Sequence, residues 1–216
     1  MLTKIRNKIA ESGWLGLFLA ILTRLRVFKY LRVYYFYRVP LEQLHGKVGC
    51  PEGISTQVIT IDQSKNIDAL NQVLEKDGMY RRRLDAGLFA VLAYAESVPV
   101  GFVWGDLRRT HLEERFGYEI ELAPDDAYSF DNFVAPDRRR MGVWKALLTG
   151  FIDYVSRVTN RKSIAVIIEL TNRRSIVAHE RLGYRKESLH VAGRLFSGNA
   201  FHWRLKQYKR VTATPT

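Results

Sequence analysis

Residues 127–144, AYSFDNFVAPDRRRMGVW, decide the fold. Ala127 to Val134 reads as a strand, and Ala135-Pro136 ends it. Arg138-Arg139-Arg140-Met141-Gly142 reads as a tight basic turn. Trp144, Leu147, Leu148, Phe151, Val155 and Val158 then recur at three- and four-residue steps, which predicts an amphipathic helix. Strand, basic turn and helix start together suit a phosphate chain. Backbone N–H groups at a helix start have no partner inside the helix and point outward, where they bind anions. Gly142 lets the backbone come close, and the arginines add charge.

Working outward, Ser163 to Leu170 is a nearly continuous apolar run, as expected of a strand covered on both faces. Strand, helix and strand make a βαβ unit with parallel strands. Asn172-Arg173-Arg174-Ser175 opens a short helix that ends in Leu182-Gly183-Tyr184. Residues 184–196 and 200–206 read as a closing antiparallel pair. Upstream, 46–53 is a glycine-rich loop and 58–61 a strand. Ile67, Leu70, Val73 and Leu74 have helical spacing, and residues 80–84 continue a second helical piece. Residues 88–96 and 100–105 read as hairpin strands around Ser97-Val98-Pro99. Residues 108–117 read as charged and irregular.

A chain of 216 residues with 47% hydrophobic and 12% aromatic residues builds one domain plus an extension. Its single cysteine, Cys50, excludes an internal disulfide and fits a reducing, cytoplasmic compartment. The formal charge of +12 calls for a polyanionic partner: nucleic acid, a membrane surface or a phosphate-bearing cofactor. The basic residues concentrate in two places. One is the turn at 138–140 with Arg173 and Arg174. The other is the first forty residues, where Lys4, Arg6, Lys8, Arg24, Arg26, Lys29, Arg32 and Arg38 face Glu11 alone.

In that segment Trp14 to Leu22 is apolar but far shorter than the roughly twenty residues of a membrane helix. No small-residue cleavage site follows, so it is not a secretory signal. Basic and bulky apolar residues interleave from Val27 to Arg38. Two readings stand: a helix and first strand packed on the domain, or an amphipathic extension, residues 1–40, that touches an anionic membrane surface. The domain itself is then 41–216.

Val134-x-Pro136-x-x-Arg139-x-x-Gly142-x-Trp144 resembles the acyl-CoA-binding motif of the GNAT superfamily of N-acetyltransferases. That motif reads Gln or Arg, two residues, Gly, one residue, then Gly or Ala. Asn172-x-x-Ser175-x-x-x-His179-x-x-x-Gly183-Tyr184 resembles the same family's downstream motif, where Asn, Ala, Tyr and Gly-Phe are usual. By element order the resemblance covers about residues 56 to 206, and its specific part is 127–184. Trp144 replaces a small residue, and His179 stands where many members carry the tyrosine that protonates the departing thiolate.

The resemblance implies an α/β (α+β) fold: a mixed, mostly antiparallel central sheet flanked by helices, with two parallel strands splayed at the cofactor. It implies acyl transfer from acetyl-CoA, or another acyl-CoA, to a primary amine by direct attack in a ternary complex. The pyrophosphate would meet the N–H groups of Arg140, Met141, Gly142, Val143 and Trp144, with Arg139 beside them at the turn. Pantetheine would bond the backbone of Phe133, Val134 and Ala135, and Asn172 and Ser175 would face the thiol end of the cofactor. His179 would be either the general acid or a ring that only hydrogen-bonds the cofactor or the core. Asp131 is the first candidate for the base, and equally a structural acid or an ammonium anchor. Glu119, Glu121, Asp126 and Tyr128 are further candidates. The remaining histidines show no metal-ligand spacing.

The acceptor is expected to be a small-molecule or peptide amine, and a homo-oligomer fits the sequence as well as a monomer does. Two rival readings stay open. A nucleic-acid-binding protein would explain the charge, but no helix-turn-helix, RNP or zinc motif supports it. A degenerate member that binds CoA without catalysis would explain Trp144 and His179.

Overall fold

Along strand β4 (Val98–Asp106) Phe102 and Trp104 lie on one face, and Gly101 and Gly105 on the other. This two-residue period sorts the helices. On the Phe102 and Trp104 face, helices α1 (Ile67–Val73) and α2 (Met79–Asp85) bury Leu70, Tyr80 and Leu84 against Ala90, Leu92 and both aromatics. The glycine face receives α3 (Val143–Val158). A Cβ on Gly105 would lie 2.7 Å from Phe151, and one on Gly150 of the helix would lie 2.8 Å from Thr56. Glycine on both partners lets helix and sheet approach closely.

The computed structural model describes residues 28–62, 67–76, 78–114, 117–196 and 198–208. The described chain falls into two compact units. The first contains residues 40–109 and 122–165. Its strands run in the order β8-β7-β4-β3-β2, with β2 at Ile54–Ile59, β3 at Phe89–Ala95, β7 at Asp126–Val134 and β8 starting at Ser163. Every neighbouring pair is antiparallel except β7 with β8, which is parallel. This is the mixed, mostly antiparallel sheet with flanking helices that the resemblance implies.

The α3 stripe is as expected at Leu147, Leu148, Phe151 and Val155 and is broadened by Val143, Ala146, Gly150 and Ile152, which are also buried, whereas Val158 is 46% exposed and Trp144 only partly covered.

The second unit contains β1 (Phe28–Pro40, up to Val39), the hairpin β5 (Thr110–Glu113) and β6 (Tyr118–Glu121), and the end of β8. Helix α4 (Arg173–Leu182), β9 (Arg185–Leu195) and β10 (Ala200–Gln207) complete it. Strand β9 pairs antiparallel with both β1 and β10. The stretch read as charged and irregular therefore holds a hairpin. Its alternation, with His111, Tyr118 and Ile120 buried and Leu112 and Glu119 exposed, is short and interrupted by charge.

From Phe28 onward the basic, aromatic segment is β1, and its interleaving marks the two faces of a strand. Two of its arginines have intramolecular partners: Arg32 meets Glu169 at 3.3 Å, and Arg38 pairs with Glu187. Residues 1–27 of the expected extension lie outside the described residues. No helix among the described residues is long and apolar enough to cross a membrane.

Candidate functional site

The parallel ladder between β7 and β8 ends after three pairs, Asp126 with Ser163, Ala127 with Ile164 and Tyr128 with Ala165. Strand β7 runs on to Val134, still paired on its other side with β4 as far as Gly101. Among the described residues, the β8-facing edge of 129–134 carries no further ladder pair. Asp126 fastens the closed end. Its carboxylate accepts from the Ala123 N–H at 3.0 Å and from Ser163 Oγ at 2.7 Å, so this candidate base is a buried structural acid.

Within that open stretch β7 bulges. Phe102 faces Phe133 but Trp104 faces Phe130, so three steps on β7 match two on β4. Asp131 occupies the bulge at φ 46°, a left-handed conformation that aspartate tolerates better than most residues. Strict alternation could not place Asp131 because the bulge shifts it. Its Oδ2 accepts from Lys76 Nζ and from Arg83 Nη1, each at 2.6 Å. Burial pushes its carboxyl up, but the hydrogen bonds from Lys76 and Arg83 outweigh that and hold it below the ordinary carboxylate range. A carboxylate gripped by two cations is a weak base. The geometry is that of a structural acid pinning the bulge, and no sequence motif singled out its partners Lys76 and Arg83.

Beyond the bulge the Ala135 N–H donates to the Val100 carbonyl at 2.9 Å, so it is committed to β4. Backbone groups alternate sides along a strand, which turns the Val134 N–H to the opposite, open edge. On that edge Arg139 Nε donates back to the Val134 carbonyl at 3.2 Å. A short 3-10 turn, Pro136–Arg138, follows. Arg140 at φ 68° and Gly142 at φ 80° then bend the chain into α3. The first intrahelical bond of α3 runs from the Ala146 N–H to the Gly142 carbonyl. The N–H groups of 143–145 therefore precede the helix's own ladder, at the positive end of its dipole. Arg139, Arg140 and Met141 are exposed beside them.

In the second unit Asn172 caps α4, its side chain accepting from the Ser175 N–H at 3.2 Å. Ser175 and His179 are one helical turn apart. His179 Nδ1 lies 2.8 Å from the Ser175 carbonyl and 3.3 Å from its hydroxyl. A carbonyl only accepts, so Nδ1 carries the proton. Burial lowers the ring's pKa to about 4, against a smaller upward pull from the Ser175 bond. His179 is neutral at neutral pH, and a thiolate would find its Nδ1 proton already spent. Glu119 and Glu121 are exposed on β6 in this same unit.

A cavity of about 440 Å³ opens elsewhere in the first unit, lined by Thr60, Asp62, Phe89, Leu107, Tyr154 and Arg157. Tyr154 lies eleven residues along α3 from Val143, about 16 Å from the turn. None of the expected site residues lines it.

Residues 58–184, more than half of the chain, match the acetyltransferase (GNAT) family, and the protein belongs to that family. A tandem GNAT protein from the clavulanic acid biosynthesis pathway has a similar fold, with a TM-score of 0.54 at 13% identity, over 76% of this chain and 54% of that one. A conserved protein of Staphylococcus epidermidis ATCC 12228 gives 0.51 at 15% identity, over 74% and 59%. An aminoglycoside N-acetyltransferase solved in complex with CoA gives 0.47 at 18% identity, over 61% and 92%. Identities this low show a shared fold alone, and the chain spans little more than half the length of the first two structures. No curated protein matches the sequence.

Proposed function

We propose that this protein is an acyl-CoA-dependent N-acyltransferase that moves an acetyl or other acyl group from CoA to a primary amine within a ternary complex. The observation that supports it best is the open edge of β7 running directly into the left-handed turn and N-terminus of α3. Such an edge suits an extended pantetheine, and such a helix start suits its pyrophosphate. Arg139, Arg140 and the N–H groups of Met141 to Trp144 would hold the phosphates. Phe133 and Val134 would line the pantetheine, and the Val134 N–H would donate to the thioester oxygen as negative charge develops there.

In the reaction the neutral amine attacks the thioester carbon, the C–S bond breaks, the nitrogen loses a proton and the sulfur gains one. In this reading Asn172 and Ser175 set the orientation of His179. A base or a water relay carries the proton from the nitrogen to the sulfur. Asp131 shapes the strand rather than acting as the base. We place the reaction in the cytoplasm, with residues 1–40 giving salt-sensitive contact to anionic lipid. Liposome flotation of the full chain at low and high salt, with and without residues 1–27 so that β1 stays in place, tests that contact.

Two measurements test the reading. At a hundred times its Kd, acetyl-CoA should stabilise the protein by about 2.7 kcal/mol in thermal unfolding. Free thiol should then appear when acetyl-CoA and an amine pool are added together. Stabilisation without thiol release would leave a CoA-binding protein that does not catalyse. Neither signal would end the assignment.

A further inference from the structure

We propose that the outer half of β10, with the turn that precedes it, docks this protein on an anionic lipid bilayer. The surface lies within the second unit and does not depend on acyl transfer. It is a contact additional to residues 1–27, made by side chains of its own.

Strand β10 ends the sheet and pairs with β9. A strand packed on one face hides every second residue. Here Trp203, Arg204, Leu205, Lys206 and Gln207 are all exposed, so both faces lie open. The ladder slips between Arg204 and Lys206, which makes Leu205 the extra residue of a bulge. Trp203 is 62% exposed, Leu205 56%, and Phe196 at the preceding turn 57%. Phe201 packs over Gly193 with its ring 4.7 Å from that of Trp203, and so holds the indole at the edge. A stray exposed apolar residue carries no message, but three large ones in a single hairpin mark a surface that meets something apolar.

The charge around them has one sign. After Glu187 the sequence holds no Asp or Glu, while Arg194, Arg204, Lys206, Lys209 and Arg210 are basic. Elsewhere in the unit Glu169, Glu180 and Glu187 pair with Arg32, Lys186 and Arg38. Glu119 and Glu121 alternate with the buried Tyr118 and Ile120 on β6, and it is Tyr118 that stacks on His202 of β10. Strand β1 starts at Phe28, opposite Leu195. The chain that carries Lys4, Arg6, Lys8, Arg24 and Arg26 therefore joins the sheet beside the same hairpin turn.

A bilayer fits this combination. Trp, Phe and Leu side chains enter the headgroup and acyl boundary, while Arg and Lys reach back to lipid phosphates. A second copy of the chain fits poorly, because two β10 edges would bring Arg204 and Lys206 against their own like charges. A nucleic acid would use the cations and the indole but would leave the aliphatic Leu205 with nothing to stack on.

The test mixes the full chain with sucrose-loaded vesicles of phosphatidylcholine, with and without phosphatidylserine, at low and high salt. Sedimentation should require phosphatidylserine and weaken with salt. Arg204→Gln with Lys206→Gln should lower the partition coefficient by about tenfold or more, since each cation near such a surface contributes about fivefold. Trp203→Ser with Leu205→Ser should lower it by a similar factor, the scale of burying one large apolar side chain. Brominated lipid should quench the wild-type tryptophan fluorescence, and Trp203→Phe should reduce that quenching while binding persists. The replaced side chains are exposed, and thermal unfolding confirms that each variant is folded.

No binding to phosphatidylserine vesicles, or equal binding without phosphatidylserine, would overturn the proposal. Binding that survives both double substitutions, or quenching unchanged by Trp203→Phe, would also overturn it and leave residues 1–27 as the lipid contact. Tighter binding to single-stranded poly(U) than to the vesicles, lost in the same variants, would overturn it in favour of nucleic acid. Stabilisation by acetyl-CoA is independent of all these outcomes, so the acyl-transfer reading stands or falls separately.

Discussion

Gly142 carries a positive φ of 80°, and a Cβ there would lie 2.5 Å from Pro51 Cγ. Both facts forbid a side chain at the step where β7 gives way to α3. Gly142→Ala should cost about 1–3 kcal/mol of stability through backbone strain and overlap. It should also weaken acetyl-CoA binding, because the N–H groups that follow would be re-aimed. Thermal unfolding and calorimetry read the two effects, and wild-type values in both would refute the role given to the turn. His179 makes a second residue-scale prediction. Its ring should titrate near pH 4 with the proton on Nδ1 throughout the neutral range. Nitrogen–proton correlation spectra of labelled imidazoles measure both, and a midpoint near the ordinary 6.5 would revive the general-acid role.

At the scale of elements, the bulge of β7 depends on its ion cluster. Asp131→Asn would leave Lys76 and Arg83 sharing no carboxylate in a poorly solvated site, at a cost of about 3 kcal/mol at pH 7. The sign with pH follows from the lowered carboxyl. Its stabilisation is fully present above the unfolded value of about 3.9 and is lost as the pH falls through the lower folded value. Urea unfolding of wild type and variant should therefore differ at pH 7 and converge in strong acid. A constant difference across that range would assign the loss to packing instead. The same element bears on the roles the sequence leaves open for Asp131, base, structural acid or ammonium anchor: two cations 48 and 55 residues away in sequence favour the structural one.

Across the molecule, the histidines make folding acid-sensitive. In the second unit Tyr34, Tyr118, His190 and His202 form a stack, with Tyr34 Oη 2.7 Å from His202 Nε2 and His190 Nδ1 3.0 Å from the same atom. Burial, then the neighbouring His202 and Arg204, brings His190 to about 4; burial also lowers His202. With His179 this makes three rings that bind protons more readily in the unfolded chain. Their stabilisation is fully present above about pH 6.5 and is lost as the pH falls toward 4. The melting temperature should drop across that window, above the range where carboxylates act. His202→Gln should flatten the drop, since it removes one titrating ring and relieves its partner. A melting temperature constant from pH 7 to 4.5 would count against the stack.

Local chemistry made much of this legible from the sequence. A 3.6-residue period marked α1 and α3, and a nearly continuous apolar run marked β8, because burial leaves its imprint on one helix face or on both faces of a covered strand. Asn172 and Gly183 marked the ends of α4, because caps are satisfied within a few residues of chain: the Asn172 carbonyl oxygen takes the Ser175 N–H, and Gly183 takes φ 100°. The turn between β7 and α3 was legible for the same reason. What only the tertiary structure decided involves partners far apart in the chain. The Asp131 bulge depends on register with β4 and on Lys76 and Arg83. The neutral state of His179 comes from burial, and the β5–β6 hairpin rests on too few residues to show a period. The commitment of the Ala135 N–H to Val100 separates two backbone groups that look alike in the sequence. A sequence carries its short-range constraints explicitly, whereas charge balance and solvation belong to whatever the fold brings together.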